Sequence, residues 1–113
     1  MTGCTIERGQ AGNIDIIRVD GSLDAETFPR LNTLLESLQA EGRRRVVLDC
    51  DKLQYISSVN LGALLGFCQT AQKDGGGLRL ARVSRKIQDV VKVLGFHKIL
   101  GIYPGVEKAV RGF

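Results

Sequence analysis

The segment Val46-Val47-Leu48-Asp49-Cys50-Asp51-Lys52-Leu53-Gln54-Tyr55-Ile56-Ser57-Ser58-Val59-Asn60-Leu61-Gly62 decides the fold of this chain. Its opening Val46-Val47-Leu48 is a continuous apolar run rather than an alternating one, as expected of a central strand covered on both faces. The strand continues through Ile56. Beyond Ser57-Ser58 the period changes: Leu61, Leu64, Leu65 and Cys68 recur at helical spacing, and the pattern fades at Lys73-Asp74-Gly75-Gly76-Gly77, a helix stop and turn. A buried strand thus delivers a pair of hydroxyls to a helix N-terminus.

The rest of the chain repeats this unit. Upstream, Gly21-Ser22-Leu23-Asp24-Ala25 leads to Phe28, Leu31, Leu34, Leu35 and Leu38, an amphipathic helix with Thr27 and Pro29 near its start and Gly42 at its end. Before it, residues 4–8 and 14–20 flank Gly9-Gln10-Ala11-Gly12-Asn13 and predict an antiparallel hairpin. Downstream, 78–83 predicts a strand. Ser84 caps a helix with Ile87, Val90, Val91 and Leu94 on one face, and Gly95 stops it. Residues 99–103 form a last strand, and 104–111 a short helix carrying Val106, Ala109 and Val110. The order is ββαβαβαβα. Repeated βα units imply largely parallel pairing through right-handed crossovers. The expectation is a single α/β domain over 1–113, with a mixed sheet of about five strands and about four helices.

Composition narrows the function. The chain has 113 residues, 43% hydrophobic and 25% charged, and 16 Lys+Arg against 12 Asp+Glu give a net charge of +4. That excess is mild, and aromatic residues are only 5%, which disfavours a base-stacking platform and direct nucleic-acid binding. No apolar run approaches the roughly 20 residues that cross a bilayer, and Met1 to Gln10 is polar, unlike a signal peptide. A cytoplasmic protein without membrane insertion is expected. Cys4, Cys50 and Cys68 are odd in number and lack a CxxC pair, so they make a poor disulfide framework. With His97 they lack the close ligand pairs of a structural zinc site. Buried thiols at Cys50 and Cys68 are expected, and His97 reads as a surface or helix-terminal residue.

Other chemistry-bearing residues have structural readings. Gly75-Gly76-Gly77 precedes a strand, whereas phosphate-binding glycine loops follow one and open a helix. Arg43-Arg44-Arg45 sits just past a helix C-terminus, where cations meet exposed carbonyls; a solvated run is expected there, with an acidic partner as the alternative. Asp49 and Asp51 lie two apart at a strand end and could share a face, a weak metal signal without a third ligand. Asp20 and Asp24 read as turn formers. At the strand–helix junction, Ser57 or Ser58 either caps the helix or stands exposed as a modification site, where a phosphate's charge of about −1.5 to −2 would suit the helix N-terminus.

The run from Val46 to Asp49, with Tyr55-Ile56-Ser57-Ser58-Val59-Asn60-Leu61-Gly62, resembles the signature of STAS domains, particularly bacterial anti-sigma factor antagonists. That pattern is an apolar strand ending in Asp, a short variable stretch, then Asp or Ser, Ser, a small residue, Gly, Leu and Gly. Gly21-Ser22-Leu23-Asp24 is similar to the family's earlier glycine-to-Leu-Asp turn, and weaker matches extend through Ser84 and Leu94-Gly95 to the last helix. The resemblance implies a non-enzymatic binding module without a cofactor. It implies phosphorylation of Ser58 by an anti-sigma factor with serine kinase activity, which the unmodified form binds and the phosphorylated form cannot. A phosphoserine phosphatase resets the switch. Ser57, Ser58, Val59, Asn60, Leu61 and Asp24 are the implied partner-binding residues. Ser57 stands where many members have Asp, and Asn60 where the pattern has Gly, placing a side chain in space a docking partner needs. The alternative is a non-switching STAS scaffold or adaptor subunit of a signalling or lipid-transport assembly.

Overall fold

Successive side chains of a strand point to opposite faces, and the strands of this chain use both. In the computed structural model, which describes residues 3–113, Val46 and Leu48 of strand β3 (Arg45–Asp49) enter a large core, while Val47 between them enters a small one on the other face. The large core lies under α1 (Phe28–Ala40), α2 (Ser58–Gln72) and α3 (Arg85–Val93), which contribute Leu31, Leu35, Leu38, Leu61, Leu64, Ile87 and Val91. The small core lies under α4 (Val106–Arg111), whose Ala109 meets Ile14, Val47 and Ala81. This two-sided burial is why β3 reads as an unbroken apolar run.

Strand β1 (Cys4–Ala11) turns at Gly12-Asn13 into β2 (Ile14–Leu23), giving a longer hairpin and a tighter turn than expected. Gly12 (φ +63) takes the left-handed conformation that such a turn demands. All further pairing is parallel: β2 with β3, β3 with β5 (Gly77–Ala81), and β5 with β6 (Gly101–Tyr103), in the order β1-β2-β3-β5-β6. This is the mixed α/β sheet expected.

The sheet has six strands rather than five. The strand predicted to run through Ile56 breaks at Cys50-Asp51-Lys52. Its second part, β4 (Leu53–Ile56), pairs only with the far end of β2, setting Leu23 opposite Ile56. The cause is a change of partner. The Cys50 N–H still donates to Ala81 of β5, at 2.8 Å, but the Lys52 carbonyl accepts from Gly21 of β2, at 3.0 Å. Two other expectations shift. Val90 and Leu94 of the third helix, expected on its buried face, are each 40% exposed. The last strand is shortened by a 3-10 turn at Phe96–Lys98, on which His97 is exposed.

Leu64 is fully buried between α2 and the sheet. Leu64→Ala should therefore lower unfolding free energy by about 2–5 kcal/mol in urea titrations. A loss under about 0.5 kcal/mol, the scale of a surface change, would contradict this packing.

Candidate functional site

The break after β3 sets the site. β4 ends at Ile56 and the chain turns directly into α2, so the hydroxyls of Ser57 and Ser58 emerge at the carboxyl end of the sheet. A helix leaves its first N–H groups without internal partners, and here one serine answers that need. Ser57 is the N-cap in extended conformation, and its Oγ accepts from the Asn60 N–H at 3.1 Å. Of the two capping options, the structure selects Ser57. Ser58 occupies the first helical position. It is exposed, and no protein group hydrogen-bonds its side chain among the described residues. Val59 beside it is 79% exposed, whereas Leu61 is buried.

Asn60 departs from expectation. It is helical and only 7% exposed, and its Nδ2 donates to the Leu23 carbonyl at 3.0 Å. The side chain therefore does not occupy the outer surface at Ser58; it turns inward and ties the start of α2 to the end of β2. Helix geometry directs the fourth residue of the segment Ser57 to Asn60 towards the sheet, and the Leu23 carbonyl there needs a donor.

That bond brings the Leu23-Asp24 turn to the same edge. Asp24 Oδ1 accepts from the backbone N–H of Glu26 at 2.9 Å and of Thr27 at 3.0 Å, and from Thr27 Oγ1 at 3.1 Å. Thr27 Oγ1 in turn donates to the Ser22 carbonyl at 2.6 Å. These bonds, the Thr27 N–H foremost, hold the Asp24 carboxyl below the usual carboxylate range. Asp24 is thus a turn former, and the Asn60–Leu23 bond sets its turn beside the start of α2.

Asp49 and Asp51 do not form a shared carboxylate face. Asp49 is buried and gripped by Arg82, Nε to Oδ1 at 3.1 Å and Nη2 to Oδ2 at 2.7 Å, with Arg18 at 3.5 Å. Asp51 is exposed and meets Arg82 at 3.7 Å. Burial pushes the Asp49 pKa up, but the Arg82 hydrogen bonds, the Asp51 N–H and the two guanidinium charges outweigh it, and the net shift is downward. Arg82 carries a left-handed backbone (φ +57) unusual outside glycine. No group of three or more His, Cys, Asp or Glu among the described residues is arranged to hold a metal. Burial raises the Cys50 thiol to about 12, and Cys68 Sγ accepts from the Leu78 N–H at 3.3 Å, so both thiols are structural.

The arginine run is less solvated than expected. Arg43 Nε donates to Asp15 at 2.6 Å, and Arg8 completes a pincer on the same fully buried carboxylate. An Asp within Ile14-Asp15-Ile16-Ile17 signals a need for cations, but partners seven and 28 residues away were not legible in the chain order.

The result is a single α/β domain with a mixed six-stranded sheet led by an antiparallel hairpin and three helices on one face, of which the serine-capped α2 begins at the carboxyl end of the sheet. The STAS domain model matches residues 5–109, and the chain belongs to the STAS domain family. An anti-sigma-B factor antagonist of Staphylococcus aureus is 24% identical over 91 residues, covering 80% of this chain and 84% of that protein. The crystal structure of an anti-sigma factor antagonist from Mycobacterium paratuberculosis superposes with a TM-score of 0.87 at 19% identity, covering 97% of this chain and 93% of that one. The Bacillus cell fate determinant SpoIIAA in its phosphorylated form gives 0.74 at 17% identity, covering 96% and 97%. No helix among the described residues is long and apolar enough to cross a membrane.

Two outcomes follow from these contacts. Ser57→Ala should cost about 0.5–2 kcal/mol, the usual price of a lost N-cap, while Ser58→Ala should stay within about 0.5 kcal/mol; thermal melts of both variants decide it, and the reverse order would refute the cap assignment. Asp49 has a folded pKa below its unfolded one, so its stabilisation is complete above the ordinary carboxylate pKa near 4 and is lost as pH falls through the lower, folded value. Asp49→Asn should therefore flatten the acid limb of the stability–pH curve.

Proposed function

We propose that this chain is an anti-sigma factor antagonist that works by partner switching. Unmodified, it binds an anti-sigma factor with serine kinase activity; phosphorylation of Ser58 by that kinase releases it, and a phosphoserine phosphatase restores it. The observation that carries this reading is the division of labour between the serines. Ser57 is engaged in the cap, whereas Ser58 is exposed and uncommitted on the first turn of α2. A phosphate there adds charge at the positive end of the helix dipole, which accommodates it without breaking a fold-holding bond.

The surroundings suit docking. Val59 and Tyr55 (51% exposed) are large apolar groups left open near Ser58, the kind of surface that marks interfaces. Asp24, on the adjoining turn, supplies a carboxylate at the rim, and Ser57, Asn60 and Leu61 set the backbone on which Ser58 and Val59 are displayed. Catalysis belongs to the partners, and the chain acts in the cytoplasm beside the transcription machinery, without binding nucleic acid or entering the membrane. Relatives named as anti-sigma factor antagonists support this role, and the similar SpoIIAA is known in a phosphorylated form.

Incubation with the cognate anti-sigma kinase and ATP should place one phosphate per chain, on Ser58. Phosphate on Ser57 alone would overturn the assignment, and none on either would favour the non-switching scaffold. In binding measurements, Ser58→Ala should retain affinity for the kinase. Ser58→Asp should stay folded yet bind at least about tenfold more weakly, a change of only about 1.4 kcal/mol and well within the cost of an unpaired interfacial charge. The enzymatically phosphorylated protein should show the same loss.

A further inference from the structure

At the end of the sheet opposite Ser58, three loops converge on a pocket that the proposed switch does not use. The hairpin tip contributes Asn13, the α1–β3 loop Gly42, Arg43, Arg44 and Arg45, and the α2–β5 loop Asp74 and Gly76. We propose that this pocket binds the phosphoryl group of a small molecule.

The walls are held in place. Gly42 (φ +79) ends α1 in the left-handed conformation, and the Arg43 N–H returns to the Leu38 carbonyl at 2.9 Å. The Gly77 N–H donates to the Arg44 carbonyl at 2.8 Å. Gly76 lies so close to Arg44 that a Cβ would collide with its carbonyl, so only glycine permits this approach. The arginines are thus presented by a fixed backbone rather than by a loose tail.

Their donors are incompletely used. Arg43 spends Nε on Asp15, and its Nη2 makes only a long contact of 3.4 Å to Gly12. Asp15 is already shared with Arg8, so it neutralises less than one charge of the pocket. Arg44 Nη1 reaches the Gly42 carbonyl at 3.3 Å. Its Nε is shielded from solvent without a well-aligned acceptor, although the Asp74 carboxylate lies 3.1 Å away. The half-buried Arg45 side chain forms no ion pair or hydrogen bond among the described residues. The lining thus carries three arginines and a single carboxylate, Asp74, which pairs with Arg44, while Arg43 leans on Asp15 behind it. Guanidinium forks match the tetrahedral oxygens of a phosphoryl group in geometry as well as charge. A bound anion would satisfy Arg44 and Arg45 and displace Asp74, which acts as a weak internal competitor.

This inference does not depend on the switching role of Ser58. It is tested by following backbone amide NMR signals during titration with inorganic phosphate, pyrophosphate and ATP at constant ionic strength. Saturable shifts confined to Asn13, the segment from Gly42 to Arg45 and the segment from Asp74 to Gly76 are expected. Response to all three identifies a phosphoryl site; response to ATP alone assigns the phosphoryl source to a nucleotide. Arg45→Gln should weaken binding about tenfold or more, the scale of a charge-assisted hydrogen bond. Asp74→Asn should strengthen it, and provides an independent readout should Arg45→Gln lose its fold. Lys86→Gln, on the distant α3, should leave it unchanged. Shifts that fail to saturate, that spread over surface lysines and arginines generally, or that persist unchanged in Arg45→Gln would overturn the proposal. So would weaker binding by Asp74→Asn, or a response to duplex oligonucleotide alone.

Discussion

The carboxyl end of the sheet depends on one transfer of backbone hydrogen bonds, at Cys50-Asp51-Lys52. Up to Cys50 the chain is bonded on one side to β5; from Lys52 onward it leans on the end of β2. Without the transfer, the strand would run on beside β5 and α2 would begin elsewhere. Asp49 and Arg82 brace it. The ion pair links the last residue of β3 to the residue just past β5, where Arg82 takes its left-handed turn. A strained residue persists only where its surroundings over-determine it, and the paired carboxylate and the Arg82 N–H bond to Tyr103 at 3.0 Å do so here.

Gly21 shows how closely this region is drawn together. It adopts φ +118, donates to Lys52, and lies where a Cβ would collide with the Gly3 carbonyl. The irregularity in β2–β4 pairing falls at Gly21-Ser22. Glycine there lets β2 serve two parallel partners in succession, and Leu23 then receives Asn60 from α2. The serine pair, the Asp24 turn and the break in β3 are thus parts of one mechanical unit. A phosphate on Ser58 would alter the outer surface of that unit and none of its internal bonds, which is what a binding switch on a stable fold requires.

The charged groups divide into two kinds. Asp15 and Asp49 are buried and held by two arginines each, so they are costly to disturb and serve architecture. Ser58, Val59 and Asp24 at one end, and Arg44 and Arg45 at the other, keep chemical capacity at the surface. The fold thereby separates a proposed protein-docking edge from a proposed anion pocket by the full length of the parallel strands.

The element order, the parallel βα repeat and the serine-led helix were legible in the amino-acid sequence, because hydrophobic period and capping chemistry are local properties. The position of Ser58 on that helix start was equally legible. The split of the third strand was not, because Leu53-Gln54-Tyr55-Ile56 has strand character whichever neighbour it bonds, and only the competition between β5 and β2 decides. The choice of Ser57 over Ser58 as cap depended on where the first helical turn closes, and the inward rotation of Asn60 on the unsatisfied Leu23 carbonyl 37 residues away. The partners of Asp15 and Asp49 were hidden for the same reason: ion pairs with Arg43 and Arg82 span 28 and 33 residues. Local periodicity specifies what each segment becomes, whereas pairing across the sheet specifies which donor meets which acceptor, and that is settled only when the chain closes on itself.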